Sequence, residues 1–200
     1  LGMRRNEVRA ETQRIETRLG VMLEGRGFKV VLNWNPPVEP DGNAGEVDVI
    51  CTRDGTVLVL EVKSTYLRRS QQDAWQHETT TLRKAGQQIR RKVAAVQMAL
   101  SNETELAQRL GLEACAPAPA IYGWIVDTSI ECDHQRFGGF LKVSVEELLI
   151  AMRDDRHLLH DPDGLFAQKA PANPTALQGL YPQGFSAGRL IEVVETQAVW

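Results

Sequence analysis

The residues best equipped for chemistry in this sequence lie between positions 46 and 63, on either side of an Asp54-Gly55 pair. Asp-Gly between two apolar runs is the strongest short-range hairpin signal, because a tight type I′ turn needs positive φ at both central residues. With those two residues as the loop, Arg53 pairs with Thr56. The ladder then runs back to set Asp48 opposite Glu61 and Glu46 opposite Lys63. Strand side chains alternate faces. Glu46, Asp48 and Ile50 therefore share one face with Lys63, Glu61, Val59 and Val57. Val47, Val49 and Cys51 share the other, the core face, with Val62, Leu60 and Leu58. The first face gathers three carboxylates and one ammonium at one end of the hairpin. Directly opposed like charges destabilise, and their side-chain bases stand about 5 Å apart. Asp48 and Glu61 need a compensating cation. Lys63 is one source. A hard divalent ion is another, since Mg²⁺ prefers oxygen ligands and is often held by one or two carboxylates plus substrate phosphate oxygens. On repulsion alone, Asp48→Asn is expected to leave the metal-free protein no less stable than its parent.

The elements that must position this hairpin are legible from periodicity and breakers. Val8, Ile15, Leu19, Met22 and Leu23 recur at helical spacing and predict a helix over about 6–24, stopped by Gly25 and Gly27. Residues 28–34 read as a strand, 36–42 as a loop, and 46–53 and 56–63 as the hairpin strands. The polar stretch 65–81 reads as irregular at its start. Leu82, Ala85, Ile89, Val93, Val96 and Leu100 predict a long helix over about 81–100. Pro117 and Pro119 mark a loop, and 121–126 reads as a strand buried on both faces. Residues 140–143 form a further candidate strand. Ser144-Val145-Glu146-Glu147 is a capping box opening a helix to about 153. Four prolines make 155–185 loop, and 186–199 closes the chain as a candidate helix. A core over 1–127 is expected, with 128–200 either an extension packed on it or part of the same domain.

Composition is that of an ordinary globular chain, 42% hydrophobic and 24% charged, which excludes disordered, collagen-like and coiled-coil readings. No run is long and apolar enough to span a membrane. The opening Leu1-Gly2-Met3-Arg4-Arg5-Asn6 has no apolar signal core. A start at Leu1 is expected of a trimmed chain or a piece of a longer one. Cys51, Cys115 and Cys132 are too few and scattered for a disulfide framework, so free thiols in a reducing cytoplasm are expected. The net charge of −3 hides an uneven distribution. Residues 63–100 carry eight basic and two acidic groups, whereas 101–200 carry seven basic and fourteen acidic. A positive segment on a negative whole is what a local polyanion site needs, and equally what one solvated helix face presents.

Gly45-Glu46-Val47-Asp48-Val49-Ile50 followed by Glu61-Val62-Lys63 resembles the PD-(D/E)XK nuclease superfamily, in its resolvase and nuclease-related branch. The first run is similar to that family's acidic strand, with Val47 in place of the proline, and the second matches its E-x-K half. The resemblance covers roughly residues 6–127. It implies an α/β restriction-endonuclease-like core: helix, three-stranded meander, helix, strand. It also implies Mg²⁺-dependent phosphodiester hydrolysis of DNA, with Mn²⁺ as a substitute, and a homodimer where both strands are cut. Asp48 and Glu61 would hold the metal, joined by the Val62 carbonyl and a glutamate on the first helix. Counting back from Gly27 gives Glu16, which falls inside the apolar stripe near Leu23 and Leu19, where a carboxylate must be paired or metal-linked; Glu11 is the rival. Lys63 would act on the phosphate, and Glu46 would tune it. The branch's helical glutamine would be Gln88 or Gln87. Arg68, Arg69, Arg83, Lys84, Arg90 and Arg91 would contact backbone phosphates. The alternative expectation is an inactive nucleic-acid-binding or scaffold domain on the same fold. Trp75 reads as packed, Asp127 as a cap or turn residue, and His157 and His160 as surface.

Overall fold

Asp54 and Gly55 both adopt positive φ, 51° and 72°, the pair of values a two-residue hairpin turn demands. They join β2 (Val47–Arg53) to β3 (Thr56–Lys63). The register sets Arg53 with Thr56, Cys51 with Leu58 and Val49 with Leu60, as the sequence predicts. In the computed structural model the described residues are 2–37, 43–64, 70–102, 105–112, 118–154 and 179–199, with side chains from residue 9.

β1 (Lys29–Trp34) adds antiparallel to β2. β4 (Ala120–Asp127) lies parallel to β3, and β6 (Phe140–Ser144) parallel to β4. A two-residue β5 (Arg136–Phe137) closes the far edge antiparallel to β6. The result is a mixed α/β fold on a six-stranded sheet of order β1-β2-β3-β4-β6-β5.

Helices bury both sheet faces. On one, Leu19 and Leu23 of α1 (Gly2–Gly25), Leu148 and Met152 of α5 (Val145–Arg153), and Leu190 and Val194 of α6 (Ala187–Glu195) meet Val49, Leu58, Leu60 and Trp124. On the other, Ile89 and Val96 of α3 (Arg83–Ser101) and Leu106 and Leu110 of α4 (Glu105–Leu110) meet Ile50, Val57, Val59 and Ile125. The charged end of the hairpin therefore lies under α3. β6, α5 and α6 share a core cluster with α1 and β2–β4, while Phe137 of β5 packs with Ile89 of α3 and Ile125 of β4. Among the described residues no helix is long and apolar enough to cross a membrane.

Parallel strands need a long crossover. Between β3 and β4 it differs from the sequence expectation in two places. Helix begins at α2 (Gln71–Gln76), not near 81, because the Ser70 hydroxyl accepts the Asp73 N–H at 3.1 Å as an N-cap. α2 then runs into α3 through a π-helical segment, His77–Leu82. There the Thr79 and Thr80 hydroxyls donate to the Trp75 and Gln76 carbonyls. Those are the acceptors an α-helical turn would use, so the hydroxyls hold the wider turn open. α4, six residues long, is too short to show a periodicity.

Candidate active site at the carboxyl ends of the parallel strands

The polar groups at the site come from four elements. Asp48 lies near the start of β2 and Glu61 and Lys63 near the end of β3. Asp48 Oδ2 accepts the Val62 N–H at 2.7 Å, just beyond the Val49–Leu60 pair that ends the β2–β3 ladder, so the carboxylate substitutes for the next strand pairing. Its other oxygen, Oδ1, accepts from Lys92 Nζ of α3 at 2.7 Å. The same ammonium contacts Glu61 Oε2, while Lys63 Nζ donates to Glu61 Oε1. Glu61 is almost fully buried, and Oε2 meets Lys92 as an ion contact without a well-formed hydrogen bond. Lys63 thus turns along its own strand to Glu61. Its opposite number in the extrapolated ladder, Glu46, is exposed.

Lys92 is the residue that sequence reasoning missed. It is 5% exposed, yet in sequence it reads as the end of a basic run with Arg90 and Arg91. Its spacing from Ile89 and Val96 places it in the helix's buried stripe, the test that singled out Glu16. Its presence reverses the stability expectation for Asp48. Replacing Asp48 removes a partner from a buried ammonium rather than relieving a bare repulsion.

Glu16 is 6% exposed on α1, whereas Glu11 faces solvent. Burial first, then the charges of Asp48 and Glu46, push its carboxyl up to about 7, against the pull of Lys92. Burial and Glu61 likewise push Asp48 up, opposed by Lys92 and the Val62 N–H. Burial pulls Lys92 down, but Asp48 and Glu61 outweigh it and hold the ammonium above the ordinary lysine value. Four carboxylates, Glu16, Glu46, Asp48 and Glu61, are thus coupled to two ammoniums. Lys63 and Lys92 match Asp48 and Glu61 in number, so the remaining negative charge is that of exposed Glu46 and of Glu16, whose raised pKa leaves it only partly ionised at neutral pH. The cluster's donors are hard oxygens, of the kind Mg²⁺ takes. Among the described residues no group of three or more His, Cys, Asp or Glu side chains stands close enough to cage a metal by itself. Any such ion would draw on Asp48, Glu61 and oxygens from elsewhere.

The polar row continues along the sheet. Lys63 is the register partner of Asp127 on β4, and Asp127 of Ser144 on β6. Asp127 is fully buried, with Oδ2 2.8 Å from His77 Nε2 on the π-helical segment. Its carboxylate is a buried hydrogen-bonding partner of the His77 ring. These side chains crowd the carboxyl ends of parallel strands, where open α/β sheets bind ligands.

The remaining predicted residues divide. Gln88 is half-buried one turn before Lys92, and its side chain makes no hydrogen bond to another described residue; Gln87 is exposed. Arg83, Lys84, Arg90 and Arg91 are exposed. Seven-residue spacing puts the first and second pairs on one flank of α3. Arg90 also donates to the Gly138 carbonyl at 2.8 Å. Arg68, Arg69, His157 and His160 lie outside the described residues. Trp75 is 65% exposed, not packed. No family model matches the chain, and no curated protein matches it either.

Proposed function

We propose that the chain is a Mg²⁺-dependent nuclease acting on DNA phosphodiesters, built on a restriction-endonuclease-like core. The observation that carries this reading is the placement of Asp48 and Glu61 together, bridged by Lys92 and flanked by Lys63, with the buried Glu16 carboxyl near enough to feel them, at the carboxyl ends of β3 and β4. Helix, three-stranded meander, helix and strand in that order also support it. Asp48 and Glu61 would hold the metal with the Val62 carbonyl, and Glu16, which does not stand close enough to cage the ion with them, would act on it from outside, as a nearby negative charge once it has given up its proton. When bound, Mg²⁺ polarises the scissile phosphate and lowers the pKa of a bound water. Lys63 then stabilises the charge that builds on the phosphate in the transition state. Lys92 spans the two carboxylates, so its ammonium would have to release them for a metal to be held there, and would then be available, with Gln88, to contact the phosphate. Arg83, Lys84 and Arg91 steer the DNA backbone and supply affinity without sequence information. Two copies acting together would cut both strands.

One observation favours a second reading. Lys92 already seats a positive charge between Asp48 and Glu61. A domain that only binds nucleic acid could keep it there permanently. Incubating supercoiled plasmid with the protein in Mg²⁺ and in EDTA separates the two. Nicking or linearisation in Mg²⁺ alone, lost in Asp48→Asn, supports the nuclease. DNA binding that is indifferent to Mg²⁺, with no cleavage, overturns it in favour of the second reading.

A further inference from the structure

At the turn end of the hairpin, five residues of β2 or about 17 Å from Asp48, the chain forms an open groove of about 620 Å³. This lies within the range of small-ligand sites. Separate segments build it: the turn after α1 (Gly25, Arg26, Gly27), Lys29, Arg53 and its turn, the end of α4 at Gly111, and Phe185. Its charge is strongly one-sided. Arg53 is committed, donating to the Arg26 and Phe185 carbonyls and pairing with Asp54 at 3.2 Å. Arg26 donates Nε to the Met152 carbonyl, which leaves its two terminal nitrogens. Neither Arg26 nor Lys29 meets a carboxylate among the described residues. Both guanidiniums stand 5.1 Å from the Phe185 ring centroid, so the aromatic face fixes them in place.

Two glycines make the close approach of these cations achievable. Gly27 and Gly111 have φ of +80° and +62°. A Cβ at Gly27 would stand 3.3 Å from the Arg53 guanidinium, and one at Gly111 would run into the Lys29 side chain. The carboxyl end of α4 beside Lys29 offsets part of its charge, but supplies no counter-ion for Arg26. Among the described residues that line the groove, three cations face the single carboxylate of Asp54, a balance that suits an anion.

We propose that this groove is an anion site distinct from the carboxylate cluster, taking a phosphate group through Lys29 and Arg26, with Arg53 as a fixed wall. The phosphate belongs either to a free nucleotide-sized molecule or to the backbone of a nucleic-acid strand. Neither source requires that the protein cleave anything.

The test is amide chemical-shift titration of the full chain with inorganic phosphate, a nucleoside 5′-monophosphate and a single-stranded oligonucleotide. Gly27, Gly55 and Gly111 are expected to shift with inorganic phosphate. Lys29→Ala should weaken that binding about tenfold or more, as loss of a charge-assisted hydrogen bond does, while Lys29→Arg retains it. Lys29 is exposed, so both variants should keep the parent's melting temperature. Tighter binding of the mononucleotide than of the oligonucleotide at these glycines assigns the site to a free ligand; the reverse assigns it to a strand. Shifts absent from these glycines with all three probes, or an unchanged affinity in Lys29→Ala, overturn the proposal.

Discussion

Two buried charge clusters lie on the carboxyl side of this sheet, and they are built on opposite plans. The first draws Glu16, Asp48, Glu61, Lys63 and Lys92 from four elements far apart in sequence. The second is nearly local. Fully buried Lys142 of β6 pairs with Asp133 and donates to the Ser129 carbonyl, and His134 Nε2 lies 2.9 Å from Glu147 Oε2. In the first cluster the carboxyl groups of Glu16 and Asp48 are pushed up, so it takes up positive charge. In the second, burial and then the Lys142 charge push His134 below the usual histidine value, against Asp133, so it turns protons away. The first arrangement suits a cation-dependent site. The second suits a staple that fixes the loop before β6 to α5.

The largest expected effect tests that division of labour. Lys63→Ala should lower DNA cleavage about 10²–10³-fold, the scale for losing one transition-state charge donor. DNA affinity and the melting temperature should barely change. Equal losses in affinity and turnover would show that Lys63 only binds. Lys142→Ala should do the converse. Stranding Asp133 in the interior costs about 3–5 kcal/mol, read by urea unfolding, with cleavage per folded molecule retained. A stable Lys142→Ala protein would erase the contrast.

The pH dependence sharpens it. Glu16 binds its proton more tightly folded, at about 7, than at its ordinary 4.5. Its stabilising contribution is complete below about 4.5 and is lost as pH rises to about 7, on the order of 3 kcal/mol in all. Glu16→Gln should remove that decline and be the more stable protein at pH 8. His134 acts on the acid side. Its pKa is depressed, so its contribution is full above 6.5 and is lost as pH falls through the lower folded value. His134→Gln should flatten that limb alone. Millimolar Mg²⁺ should reduce the Glu16 decline, because a bound cation displaces its proton, and leave the His134 limb where it was. An Mg²⁺ effect on the His134 limb would show that the ion acts through general salt effects.

The smallest effect concerns the exposed flank of α3. Lys84→Ala with Arg91→Ala should weaken DNA binding and lower the slope of log K against log salt by up to about two, roughly one per phosphate contact. Fluorescence anisotropy over a salt series measures it. An unchanged slope would make the flank an ordinary solvated face.

How much of this was legible in sequence depended on whether a residue's neighbours are local. The hairpin register followed from Asp54-Gly55 because two residues dictate the turn and alternation does the rest. Glu16 was found because a carboxylate stood inside an apolar stripe. Lys92 satisfied the same test, but its place between Arg91 and Val93 made it look like the end of a surface run, and its partners are 44 and 31 positions away. The His77–Asp127 pair left no local trace at all, since strand pairing and a π-helical segment jointly create it. The second cluster was half visible: the Ser144 cap could be read, but not the burial of Lys142 at the sheet's far side.

The π-helical segment acts like a gear between two fixed stops. His77 at its start is anchored to Asp127, and Lys92, one helix further on, is anchored to Asp48. Each residue of an α-helix turns the chain by about 100°. Losing one of Thr79, Thr80 or Thr81 would let the wide turn close to ordinary α-helix and rotate one anchor away from its partner by about that angle. Point substitutions on the outer side of this helix that spare the Thr79 and Thr80 hydroxyls leave the phase intact, but a single-residue insertion or deletion between 78 and 82 shifts it. Length, together with those two hydroxyls, is what the phase of this stretch depends on.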